Sequence, residues 1–103
     1  MAGKTKTLTG RRKARLEQKA EVLKALAHPT RLFLVEELEK GERCVCELTA
    51  MVDVDVSTIS RHLAQLRHAG VISAEKRSNQ VFYSLEIPCL GSLFACIEDM
   101  LEK

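Results

Sequence analysis

The chain has 103 residues, 46% of them hydrophobic and 29% charged, with 16 Lys and Arg against 14 Asp and Glu for a formal net charge of +2. That composition excludes a disordered or membrane-embedded chain and suits one small domain that gains further burial by pairing with a second copy. No apolar run approaches the roughly 20 residues that cross a bilayer, and the basic start MAGKTKTLTGRRKAR lacks the apolar core of a signal peptide.

The expected location is therefore the cytoplasm, with no membrane partner. In that reducing compartment the four cysteines are expected as free thiols or ligands rather than structural disulfides. Lys4, Lys6, Arg11, Arg12, Lys13 and Arg15 all precede Glu17, the first acidic residue. Residues 1–15 read as a flexible basic arm that lies along phosphates or stays a solvated tail, and residues 16–103 as the folded domain.

From Leu16 the apolar positions Leu16, Ala20, Leu23 and Ala27 recur at helical spacing until His28-Pro29, because a residue before proline is pushed out of the helical region. Pro29 suits the first turn of a second helix with Leu32, Val35 and Leu38 on one face, stopping at Gly41. A short helix follows through Leu48 and Met51. After the break at VDVD, Ser57 is placed to cap a longer helix with Ile59, Leu63 and Leu66 as its buried stripe, ending at Gly70. Two helices joined by about four residues form the outline of a helix-turn-helix.

The period then changes. VISA and VFYSL flank a charged polar centre and predict a β-hairpin. Pro88 opens a last helix with apolar residues on two stripes, one through Leu90, Leu93, Phe94, Ile97 and Leu101 and one through Cys89, Leu93, Cys96 and Met100. A helix that is apolar over so much of its surface needs cover on two sides. A second copy supplies that cover, so a homodimer through the terminal helices is expected.

The outward residues of the helix after VDVD are Ser57, Thr58, Ser60, Arg61, His62, Gln65 and His68. Short donors and acceptors with one arginine suit a helix in a major groove, where Arg and Gln are the usual bidentate readers of guanine and adenine. An ordinary solvated face is the competing reading, and the preceding short helix and turn weigh against it. Lys76 and Arg77 near the hairpin tip are placed to touch phosphate or minor groove. With no tryptophan and one tyrosine there is little to stack single strands on, so duplex DNA is the expected partner.

LKALAHPTRLFLVEEL, ERCVCEL, STISRHLAQLRHAGVI and the hairpin closing on FYSL together resemble the ArsR/SmtB family of metal-responsive transcriptional repressors, over roughly residues 16 to 86. The resemblance implies a mainly α winged helix with a β-hairpin, sitting as a dimer on an operator and leaving when a toxic metal ion or metalloid binds. Ser60, Arg61 and His62 match the SRH stretch of that family's recognition helix. Family wings often turn through glycine, where this chain has Ser78-Asn79.

Cys44 and Cys46 resemble the family's CVC thiolate pair. Residues two apart in mid-helix face nearly opposite sides. If Cys44 stands just outside the helix in extended geometry and Cys46 lies in its first turn, however, the two sulfurs converge. Cys44 and Glu47 also have the spacing of a capping box, and a helix N-terminus favours thiolates. Small buried core residues are the competing reading. In arsenic-responsive members the pattern runs CVCxxC, but the third position here is Thr49, and the N-terminal arm has no cysteine. The third thiol is then Cys89 or Cys96, from the same chain or its partner, and for both residues dimer packing competes with ligation. Both cannot join as helix neighbours, being roughly 10 Å apart where sulfurs on one ion lie about 4 Å apart.

Thiolate ligation favours soft ions. Arsenite is the leading inducer, with antimonite, Cd(II) or Pb(II) behind it, and no cofactor is required for DNA binding. Within the same fold the alternative is a thiol-switch repressor driven by oxidation or reactive sulfur. A thiol-disulfide oxidoreductase is more distant, since neither CxxC nor a βαβ unit occurs. No catalytic triad, carboxylate pair or phosphate loop points to an enzyme.

Overall fold

The computed structural model describes residues 8–103, so Lys4 and Lys6 of the basic arm lie outside the described residues. Helix α1 spans Gly10–Leu26 and begins six residues before Leu16. Arg, Lys and Ala are strong helix formers and no proline interrupts them, so Arg11 to Arg15 extend the helix into the segment expected as an arm. Its inner end alone reaches the core, through Ala25 and Leu26.

Helix α2, Pro29–Glu39, starts as the sequence predicts. Pro29 occupies the first helical position, and His28 caps the helix by accepting the Thr30 N–H on Nδ1 at 3.1 Å. The short helix α3, Val45–Met51, and helix α4, Val56–His68, are joined by residues 52–55. Leu34, Val35 and Leu38 of α2, Leu48 of α3, and Ile59, Leu63 and Leu66 of α4 are all buried together. Packing α3 and α4 on one core is what fixes the angle of a helix-turn-helix.

Two ends of α4 show how sequence sets its length. Its N-cap is Asp55 rather than Ser57: the Asp55 carboxylate accepts the Thr58 N–H at 3.1 Å, while Ser57 Oγ donates to the same carboxylate at 3.0 Å. Asp55 wins because it holds the extended geometry of a cap, three residues before an orphan N–H. At the other end Gly70 takes φ +85°, its N–H bonds Arg67 O at 3.0 Å, and the Val71 N–H bonds Leu66 O at 3.0 Å. This is a Schellman closure, and it needs a left-handed residue that glycine adopts without strain.

Strands β2, Ile72–Arg77, and β3, Gln80–Leu85, form the predicted hairpin, in register from Ile72 opposite Leu85 to Arg77 opposite Gln80. Ser78 and Asn79 turn it with φ of 50° and 69°. A two-residue turn with both angles positive suits the right-handed twist of its strands, so the wing closes without glycine. A third strand joins the hairpin: β1, Arg43–Cys44, lies on the other edge of β3, giving the order β1-β3-β2.

The last helix, α5, spans Leu90–Leu101, with Pro88 and Cys89 in the turn before it rather than inside it. Leu90 is buried and Phe94 packs partly against the core, whereas Leu93, Ile97, Met100 and Leu101 stand exposed. The described residues thus leave one apolar face of α5 uncovered by their own chain, as the doubly apolar pattern predicts. Among the described residues no helix is long and apolar enough to cross a membrane.

Candidate nucleic-acid interface and thiol pair

Burying Ile59, Leu63 and Leu66 turns the opposite side of α4 outward. Ser57, Ser60, Arg61 and Gln65 are exposed there and Thr58 is half-buried. The structure therefore brings these five together on one polar face next to the α3–α4 turn. Gln65 is not free: Arg31 of α2 donates from Nη1 to its Oε1. Arg31 had no signal in the sequence beyond its place in the second helix, and only tertiary packing brings it to α4.

His62 departs from the set. It is half-buried, its ring centroid lies 4.4 Å from that of His28 with the planes tilted by 49°, and its Nδ1 is buried with no hydrogen-bond partner among the described residues. Burial, followed by the positive charges of His28, Arg31 and Arg61, lowers its pKa from the ordinary histidine value. Its ring thus packs on the α1–α2 junction from within the recognition stretch.

At the wing, Lys76 and Arg77 are exposed. Arg77 is nonetheless engaged, paired with Glu42 and, at 3.5 Å, with Glu75, and its guanidinium lies 4.2 Å from the Phe82 ring centroid.

Cys44 is the N-cap of α3, with extended φ/ψ of −82° and 160°, and Cys46 sits in the first turn. Their Cα atoms are 5.4 Å apart and the sulfurs are joined in a disulfide, which corrects the expectation of free thiols at this pair. The cap geometry is the reason. An extended residue swings its side chain toward the start of the helix, where the first turn also presents Cys46, so the convergence that mid-helix spacing forbids becomes available. Glu47 closes the capping box from its side, accepting the Cys44 N–H at 2.9 Å. Cys44 is 6% exposed, whereas Cys46 is exposed.

Cys89, the N-cap of α5, and Cys96 on its second turn are free and exposed. Neither is brought to the CVC pair within the chain. Among the described residues no group of three or more His, Cys, Asp or Glu side chains is gathered.

A polar face on the second helix of a helix-turn-helix, a wing with basic residues and two sulfurs joined across the β1–α3 junction make up this surface. The model of the bacterial regulatory protein, arsR family, matches residues 28–74, which take in all of α2, α3 and α4. The chain belongs to the ArsR family. It is similar to the biofilm growth-associated repressor of Agrobacterium fabrum, 42% identical over 94 residues, covering 84% of this chain and 80% of that one. The repressor SmtB of Mycobacterium tuberculosis is 39% identical over 70 residues, 68% of this chain and 52% of that one. In three dimensions the ArsR-family chain resembles a homodimeric winged helix-turn-helix DNA-binding domain from Mycobacterium bovis, with a TM-score of 0.78 and 29% identity, covering 99% of this chain and 91% of that one. These relatives are transcriptional regulators, and the ArsR-family chain is a DNA-binding repressor of the ArsR/SmtB kind rather than an enzyme.

Proposed function

We propose that this repressor sits as a homodimer on operator DNA in the cytoplasm and leaves it when Cys44 and Cys46 bind a soft metalloid, arsenite first among the inducers. The observation that carries this reading is the convergence of the two sulfurs at the start of α3, the helix that supports the recognition helix. In the reduced protein each thiol displaces one hydroxyl of As(OH)3. Two As–O bonds give way to two As–S bonds, and two waters leave with no change in oxidation state. A thiol of α5, Cys89 or Cys96, displaces the third hydroxyl, so that a third As–S bond replaces the last As–O bond and a third water leaves.

DNA is read by Arg61 and Gln65 at base edges, with Ser57, Thr58 and Ser60 on phosphate and base edges, Lys76 and Arg77 at the wing, and His62 supporting the helix from behind. The exposed apolar face of α5 supports the dimer, which places two recognition helices on one operator. Drawing both sulfurs onto one arsenic distorts the first turn of α3 and tilts α4. A coupling of about 1 to 3 kcal/mol would change DNA affinity roughly 5- to 150-fold.

The test is a titration of the reduced, operator-bound protein with arsenite, antimonite, Cd(II), Pb(II) and Zn(II), following release by anisotropy. Release by arsenite at the lowest concentration is expected. Release by oxidant alone, reversed by dithiothreitol and with arsenite inert, would establish a thiol switch instead.

A further inference from the structure

Strand β1 sets the thiol pair directly against the wing. The main chain of Cys44 is in register with Phe82 of β3, and Arg43 with Tyr83. Two residues before Cys44, Glu42 pairs with the Arg77 guanidinium. Two residues after it, Cys46 Sγ lies 3.4 Å from Gln80 Oε1; in the disulfide this sulfur has no hydrogen to give, and reduction supplies the S–H that can donate to the amide. Arg77 and Gln80 face each other in the last register pair of the hairpin and flank the Ser78-Asn79 turn. Both shoulders of the wing tip therefore contact residues two positions from Cys44, Arg77 through an ion pair with Glu42 and Gln80 through the Cys46 sulfur.

Arg77 is one of two cations at this tip, and while Glu42 holds it, its charge is satisfied inside the protein. A DNA phosphate competes for the same guanidinium. Both partners of the pair are partly exposed, 45% and 41%, and an ion pair of that kind contributes little net stability. The competition is thus finely balanced, and a small displacement of β1 decides it.

We propose that the wing is a route by which the thiol pair acts on DNA, with Glu42 and Gln80 as positioning residues that set how far Arg77 is presented to phosphate. This rests on the thiol-site reading for its input, but the restraint of Arg77 by Glu42 is measurable without any thiol ligand. In the fully reduced full-length protein, Glu42→Gln removes the shorter of the two carboxylate contacts to Arg77 and leaves the longer one to Glu75. Operator affinity should rise roughly two- to five-fold, and the slope of log K against log salt should steepen by about one phosphate's worth. Both effects should vanish in an Arg77→Ala background, and Arg77→Lys should restore the slope. Unchanged binding in Glu42→Gln, or an equal gain with Arg77 removed, overturns the restraint.

The input is tested with phenylarsine oxide, which bridges two thiols through two As–S bonds with loss of one water. Consumption of two thiols in the wild type and none in Cys44→Ser/Cys46→Ser reports occupancy of the pair. Bound probe should weaken operator binding several-fold, and Arg77→Ala and Gln80→Ala should each reduce that ratio by at least half. An undiminished ratio in both variants overturns the wing route and leaves the thiol-site reading standing. Probe bound with no change in DNA affinity in any protein overturns both.

Discussion

The imidazoles of His28 and His62 stand 4.4 Å apart, between the cap of α2 and the middle of the recognition helix. His62 is held below the ordinary histidine value, first by burial and then by the positive charges of His28, Arg31 and Arg61. The unfolded chain, with its value near 6.5, then takes up a proton more readily than the fold does. Stability is full above about pH 6.5 and falls as pH drops through the folded value. Urea midpoints at pH 7.5 and 5 should show this decline in the wild type and a shallower one in His62→Gln.

Arg61 is exposed on the outer face of α4. If it reads a base, Arg61→Ala costs about 1 to 3 kcal/mol on the operator and less on random DNA, whereas a phosphate role would weaken both alike. Competition anisotropy with the two DNAs separates these outcomes.

Cys44→Ser and Cys46→Ser should each retain operator binding and lose induction by arsenite. Serine at position 44 keeps the fold because it is a preferred N-cap in the extended geometry that Cys44 already holds. Of Cys89→Ser and Cys96→Ser, at least one should reduce sensitivity, with Cys89 favoured by its place at a helix start. Unchanged sensitivity in the double replacement at 89 and 96 would reduce the site to the CVC pair.

Ser78 carries a positive φ that favours glycine or asparagine. Ser78→Gly should relieve part of that strain, and after the entropy glycine loses on folding the net gain is on the order of 0.5 kcal/mol. Chemical denaturation reads the gain. A loss of stability would mean that the Ser78 side chain contributes more than its backbone costs.

The stripe of α4 was legible because a 3.6-residue period survives in the sequence: Ile59, Leu63 and Leu66 are buried as their spacing predicts, whereas on α1 the expected Ala20, Leu23 and Ala27 stand exposed and Ala25 and Leu26 are buried instead. The sulfur convergence was legible for a local reason, since the cap and first turn lie within a few residues. Contacts made only by folding were not. Gln65 meets Arg31 across 34 residues, and Cys46 meets Gln80 across the same separation, with no periodicity or motif to announce either. Strand β1 is two residues long, too short for any alternation to show. The cap falls at Asp55 rather than at Ser57 because two good capping residues stand two apart, and only backbone geometry chooses between them.

The apolar face that α5 leaves open has a consequence in dilution. A lone protomer carries Leu93, Ile97, Met100 and Leu101 exposed to water, so the association that covers them adds to its stability by mass action. Melting temperature should climb with protein concentration. Operator occupancy should follow roughly the square of protomer concentration when protomers predominate. A cell that lets the repressor fall below its dimer dissociation constant would lose silencing abruptly, with unpaired copies the first to meet proteases.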